Sequence, residues 1–162
     1  MFKRLAALFL SVIATLLSGC EVVLVSDFKP GISTAAEVRQ RMGPPSSEYA
    51  NPDGTFTWEY NRQPNGIETH MLTFGSDRVL QKVEQVLSDE YFRKIAEGMG
   101  KDEVQRLLGK PGSTVTFTLK KEEVWDWRIA GTIPTEEWHF HVHFDVATGK
   151  VVGTSKLMAQ KS

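Results

Sequence analysis

Gly98-Met99-Gly100-Lys101-Asp102-Glu103-Val104-Gln105-Arg106-Leu107-Leu108-Gly109-Lys110-Pro111 has an earlier echo in the chain, Gly31-Ile32-Ser33-Thr34-Ala35-Ala36-Glu37-Val38-Arg39-Gln40-Arg41-Met42-Gly43-Pro44-Pro45. Both run from Gly through Glu-Val to an apolar residue followed by Gly and Pro, and the first has one extra residue. Each spells a short helix. Thr34 and Glu37 make a capping box that satisfies otherwise unpaired N–H groups, whereas the second copy must use Gly100 as its cap. Gly43 and Gly109 suit the left-handed residue after a helix, and the prolines beyond forbid continuation. Val104, Leu107 and Leu108 mark one buried stripe at i, i+3, i+4; Arg41 narrows the equivalent stripe of Val38 and Met42.

Strand patterns follow each helix. Phe56, Trp58 and Tyr60 alternate with Thr57 and Glu59, and Trp125-Asp126-Trp127 holds the matching place later. Asn65-Gly66 predicts a tight hairpin. Leu72 and Phe74 correspond to Val142 and Phe144, and the turns at Gly75-Ser76-Asp77 and Thr148-Gly149 lead into strands over Val79–Val86 and Val151–Ser155. Ser88 to Glu97 reads as an additional helix before the second copy, and the valines of Glu21–Asp27 are open to a strand. The fold class is therefore α+β: a tandem repeat of one or two helices packed on a small antiparallel sheet of three to four strands.

The N-terminus reads differently. Met1-Phe2-Lys3-Arg4 is a positive start, and Leu5–Leu17 is apolar apart from Ser11 and Thr15, as in a secretory leader. Its helix would reach roughly 20 Å, short of the ~30 Å hydrocarbon core. Leu17-Ser18-Gly19-Cys20 then resembles a bacterial lipobox, and Cys20 is the single cysteine of the chain. That resemblance implies cleavage before Cys20, a diacylglyceryl group on its thiol and a fatty acyl chain such as palmitate on the new amine. Two or three acyl chains give stable anchoring where one does not. Glu21 follows, not the aspartate associated in some bacteria with inner-membrane retention, so the expected location is the outer membrane, periplasmic side. An ordinary leader or an uncleaved anchor are the alternatives.

The 162 residues carry a net charge of −1, which deepens to −3 once Lys3 and Arg4 are lost with the leader. No basic patch invites nucleic acid. The boundaries are a leader at 1–19, a lipidated N-terminus and short tether at 20–27, a divergent first unit at 28–87, a second unit at 88–158 and a tail at 159–162.

The lipobox, the Gly98–Pro111 string, Trp125-Asp126-Trp127 and the Phe144…Gly149-Lys150-Val151 hairpin together resemble the BamE-like (SmpA/OmlA) family of outer-membrane lipoproteins. The second unit carries the resemblance and the first follows it more loosely. The resemblance implies two helices on a three-stranded antiparallel sheet. It also implies a non-catalytic accessory of β-barrel assembly that contacts other envelope proteins and phospholipid. The doubling departs from that pattern and leaves the family's partner-binding positions unassigned. The duplicated unit is also similar in architecture to β-lactamase inhibitor proteins, which dock a concave sheet face onto an enzyme.

Two sets of residues are candidates for a site. Trp58, Tyr60, Trp125 and Trp127 form either a partner-binding patch, since aromatics are enriched at hot spots, or the packing of the repeat. Trp138-His139-Phe140-His141-Val142-His143-Phe144-Asp145 alternates throughout, placing His139, His141, His143 and Asp145 on one face. Two of these histidines with Asp145 or His70 could hold zinc or copper; the alternative is a polar sheet face, because Thr69, Met71 and Thr73 stand at the equivalent first-unit positions. No G-x-S-x-G, H-E-x-x-H or Gly-rich phosphate loop appears, so an enzyme is not expected, and the expected cofactor is none beyond the lipid on Cys20.

Overall fold

The structure, a computed structural model, describes residues 25–159 apart from Pro134. The leader, the lipobox and Cys20 lie outside the described residues, as does most of the tail.

The described residues open on a 3-10 turn, Val25–Asp27, not a strand; the rest of the Glu21–Asp27 segment lies outside them. Helix α1 (Ala35–Met42) begins at Thr34, whose hydroxyl accepts the Glu37 N–H at 3.2 Å. Glu37 itself turns to Arg41, 3.6 Å away, so this cap uses one arm of the box. A four-stranded meander follows: β1 (Ser47–Ala50), β2 (Phe56–Asn61), β3 (Thr69–Phe74) and β4 (Leu80–Gln85), each antiparallel to the next. One turn of helix, α2 (Asp89–Phe92), precedes α3 (Lys101–Leu108), and a second meander completes the fold with β5 (Ser113–Phe117), β6 (Glu122–Ala130), β7 (Glu137–Asp145) and β8 (Val151–Met158). The two halves repeat one order of elements, and the fold is α+β with two small antiparallel sheets.

At α3 the cap is reversed: Gly100 has no side chain to offer, so the Glu103 carboxylate accepts the Gly100 N–H at 2.7 Å. Both helices stop at glycines with positive φ, Gly43 at 81° and Gly109 at 78°, a conformation that costs other residues energy.

Two expectations need correction. The helix over Ser88–Glu97 shortens to α2 because its bonds tighten to i→i+3 at Lys94 and Ile95. Gly98, at φ 87°, then turns away to donate its N–H to Val151. Asn65-Gly66 does lie between paired strands, yet the connection spans 62–68 instead of two residues. It is opened out because Gln63 reaches across to the second sheet, donating to the Arg128 carbonyl at 2.7 Å and accepting the Arg128 N–H at 3.0 Å.

The layers alternate helix, sheet, helix, sheet. Even-numbered residues of β2 and β3 (Trp58, Tyr60, Leu72, Phe74) pack with Phe28, Ala35, Val38 and Leu80 against α1. Met71 points the other way, into the second core, with Val104 and Leu108 of α3 and Tyr91 and Phe92 of α2. The inner face of the second sheet closes that core with Trp125, Trp127, Ile129, Phe140, Val142 and Phe144. Full burial of each large apolar side chain contributes roughly 1.5–3 kcal/mol. Helix α3 therefore lies between the two sheets.

The junction is polar and specific. Glu59, fully buried in the middle of β2, accepts hydrogen bonds from the Tyr49 hydroxyl (2.6 Å), the Asn61 amide (2.9 Å) and the Lys110 N–H just past α3 (2.9 Å). A carboxylate buried without such donors would cost several kcal/mol. Asn61 also donates to the Lys110 carbonyl at 2.7 Å, and the Arg106 guanidinium sits 5.2 Å over the Tyr49 ring. Trp127 donates its indole N–H to Gly109 from the other side.

Candidate functional site

The four aromatic candidates do not form a surface. Trp58 (1% exposed), Tyr60 (9%), Trp125 (8%) and Trp127 (0%) all line the cores. A partner cannot reach them, because strand alternation turns each toward a helix. Their matching positions in the two sheets are core positions.

The histidine strand is placed as its alternation predicts. Phe140, Val142 and Phe144 of β7 face the core, while His139, His141 and His143 stand on the far face of the second sheet. Register brings neighbours to them. Across β6–β7, Asp126 pairs with His141, Arg128 with His139 and Val124 with His143; across β7–β8, Ser155 pairs with His141 and Leu157 with His139.

Asp126 is the residue that sequence reasoning missed. Its Oδ1 lies 2.8 Å from His139 Nδ1 and 3.2 Å from His141 Nε2. One signal was present: between Trp125 and Trp127, alternation turns Asp126 away from the core. Its meeting with the histidines depends on the β6–β7 register, which is a long-range property. The row continues beyond it. The Ser155 hydroxyl lies 3.4 Å from His141 Nδ1 and 3.0 Å from His143 Nε2, and Glu122 lies 3.3 Å from His143 Nδ1. At the other end Glu137 stands 3.5 Å from His139 Nε2 and is held by Arg128 at 3.2 Å.

Burial pushes the His141 pKa below its ordinary value; the Asp126 charge opposes this, and the neighbouring His139 and His143 reinforce it. Burial thus favours the neutral imidazole, in which one ring nitrogen carries no proton.

The other two proposed partners are elsewhere. Asp145 Oδ1 accepts the Thr148 N–H at 2.8 Å and its hydroxyl at 2.9 Å in the β7–β8 turn. Those bonds hold its carboxyl below the usual range, so it is a turn residue. His70 belongs to the first sheet, opposite Tyr60 on β2, and burial lowers its pKa as well.

The two sheets differ at this face. Glu59 pairs with Met71 as Asp126 pairs with His141. In the first sheet that carboxylate is covered by the end of α3. In the second sheet the face is left open among the described residues, and the exposed Val115, Phe117 and Leu157 share it with the histidine row.

No protein-family model matches the chain, and no curated protein sequence matches it. Three solved structures are similar in part. One is described as an osmotically inducible lipoprotein, OsmE, at 26% identity, covering 44% of this chain and 74% of that one with a TM-score of 0.37. Another is an extracellular SCP-domain protein of Bacillus anthracis, at 11% identity over 86% of this chain and 52% of that one, TM-score 0.33. The third is described as a β-lactamase inhibitor protein of Streptococcus mutans, at 10% identity over 77% of this chain and 82% of that one, TM-score 0.29.

Proposed function

We propose that this chain is an envelope lipoprotein, held on the periplasmic side of the outer membrane through acylated Cys20, and that it binds another envelope protein without catalysing a reaction. The positive start, the short apolar run and the lipobox ending in the single cysteine support the anchor.

One observation carries the binding half. The same face of the same meander occurs twice; the first copy holds a helix end on its central carboxylate, and the second copy is open. A partner fits there if it presents hydrogen-bond donors to Asp126 and apolar groups to Val115, Phe117 and Leu157. This uses the mode by which α3 already docks on β2, with a polar centre and an apolar surround. The Gly98–Pro111 string and its resemblance to BamE-like lipoproteins make a β-barrel assembly component the first partner to test.

Site-specific photo-cross-linking in intact cells tests the reading. A photoreactive residue at Val115 or Leu157 is expected to capture a discrete envelope protein, and one at Ile32, exposed before α1, is not. Equal capture from Ile32, or none from the sheet face, would remove the proposed surface.

A further inference from the structure

We propose that Asp126, His139 and His141 form a binding site for one divalent first-row metal ion of the zinc or copper class. The site lies on the face given to the docking partner, and a bound ion would take the Asp126 oxygen that faces the histidines; metal titration of the isolated chain can fail without the cross-linking result failing.

The three residues each offer one ligand atom, and these atoms lie within 4.8 Å of one another. A tetrahedral zinc ion with bonds of about 2.0–2.1 Å holds its ligand atoms roughly 3.3 Å apart. Asp126 Oδ1 is already 2.8 and 3.2 Å from the two imidazole nitrogens. Entry of an ion therefore needs Asp126 to draw back from His139 by roughly half an ångström and the histidines to close by rotation of their rings. The ligands stand on adjacent paired strands, so the backbone is held by ladder hydrogen bonds on both sides.

The surroundings suit the chemistry. A ligating histidine uses one nitrogen and presents the other as an N–H, which is held by a nearby oxygen in most sites of this kind. Here His139 would bind through Nδ1, leaving Nε2 3.5 Å from Glu137, and His141 through Nε2, leaving Nδ1 3.4 Å from Ser155. Arg128 fixes Glu137 in turn, and Ser113 lies 3.4 Å from the second oxygen of Asp126. Two imidazoles and one carboxylate favour zinc or copper over magnesium, which prefers an all-oxygen octahedron. Three protein ligands on an open face leave the remaining position to water, the pattern of an exchangeable site.

The test uses the full chain purified in detergent, from whichever cell fraction holds it, and stripped with chelator, titrated calorimetrically with Zn2+, Cu2+ and Mg2+. One saturable equivalent of Zn2+ is expected, tighter binding of Cu2+, and no saturable heat with Mg2+. His141→Ala and Asp126→Asn should each abolish the Zn2+ isotherm, while His143→Ala and His70→Ala keep it. Thermal melts without metal establish that each variant folds, and His139→Gln replaces any that does not. No saturable Zn2+ heat in the parent protein would overturn the assignment. So would an unchanged isotherm in the folded Asp126→Asn and His141→Ala variants, or a loss in His143→Ala equal to that in His141→Ala.

Discussion

Glu59 and Asp126 occupy one register position in two sheets and do opposite things. Glu59 is sealed by three donors from three segments, Tyr49, Asn61 and Lys110. Glu59→Ala strands those donors in the junction, so a loss of about 3 kcal/mol is expected, read from the midpoint of urea unfolding. Glu59→Gln, which keeps an acceptor oxygen, should lose less. Glu123 supplies a pH-dependent contribution: the Lys101 ammonium, then the Trp125 indole N–H, hold its carboxyl below the ordinary 4.5. A depressed carboxylate stabilises the fold above the unfolded value, and that stability is lost as pH falls through the folded one. Unfolding midpoints followed downward from pH 5 should therefore fall below pH 4.5, and Glu123→Gln should flatten that part of the profile.

Among the elements, α3 does most to define the molecule, because it lies between the two sheets, in a core that Met71 of the first shares with Trp127 of the second. Gly109 ends it with φ 78°, where an added Cβ would stand 2.7 Å from Thr69 Cγ2 and 2.8 Å from Glu59 Oε1. Gly43 ends α1 at φ 81° with nothing within 4 Å of such a Cβ. Gly43→Ala should cost about 1 kcal/mol for backbone conformation alone, and Gly109→Ala clearly more. Equal losses in chemical denaturation would mean that α3 does not press on the first sheet. The helix ends, the buried Val104 and Leu108, and the alternation of β7 were legible in sequence, because caps and periodicity are local. The truncation at Phe92 and the wide 62–68 connection were not, since Val151 and Arg128 impose them from distant parts of the chain. Asp126 is intermediate: its face was readable, its partners were not.

At the scale of the whole molecule, a helix-sheet unit is used twice, and the second closes the open face of the first. That leaves one unmatched sheet face at the far end of the stack, carrying the histidine row. The shared order of elements was legible in the two Glu-Val…Gly-Pro strings and the strand patterns after them; the stacking was not, because it rests on a polar junction without sequence periodicity. The proposed role joins this open face to an N-terminal lipid, and the anchor decides the compartment in which any partner or metal is met. Intact-mass spectrometry of the protein purified from native membranes tests that claim most directly. A first residue of Cys20 bearing diacylglyceryl and an N-acyl chain is the predicted result; an unmodified Cys20 thiol, or a chain beginning at another residue, would contradict it.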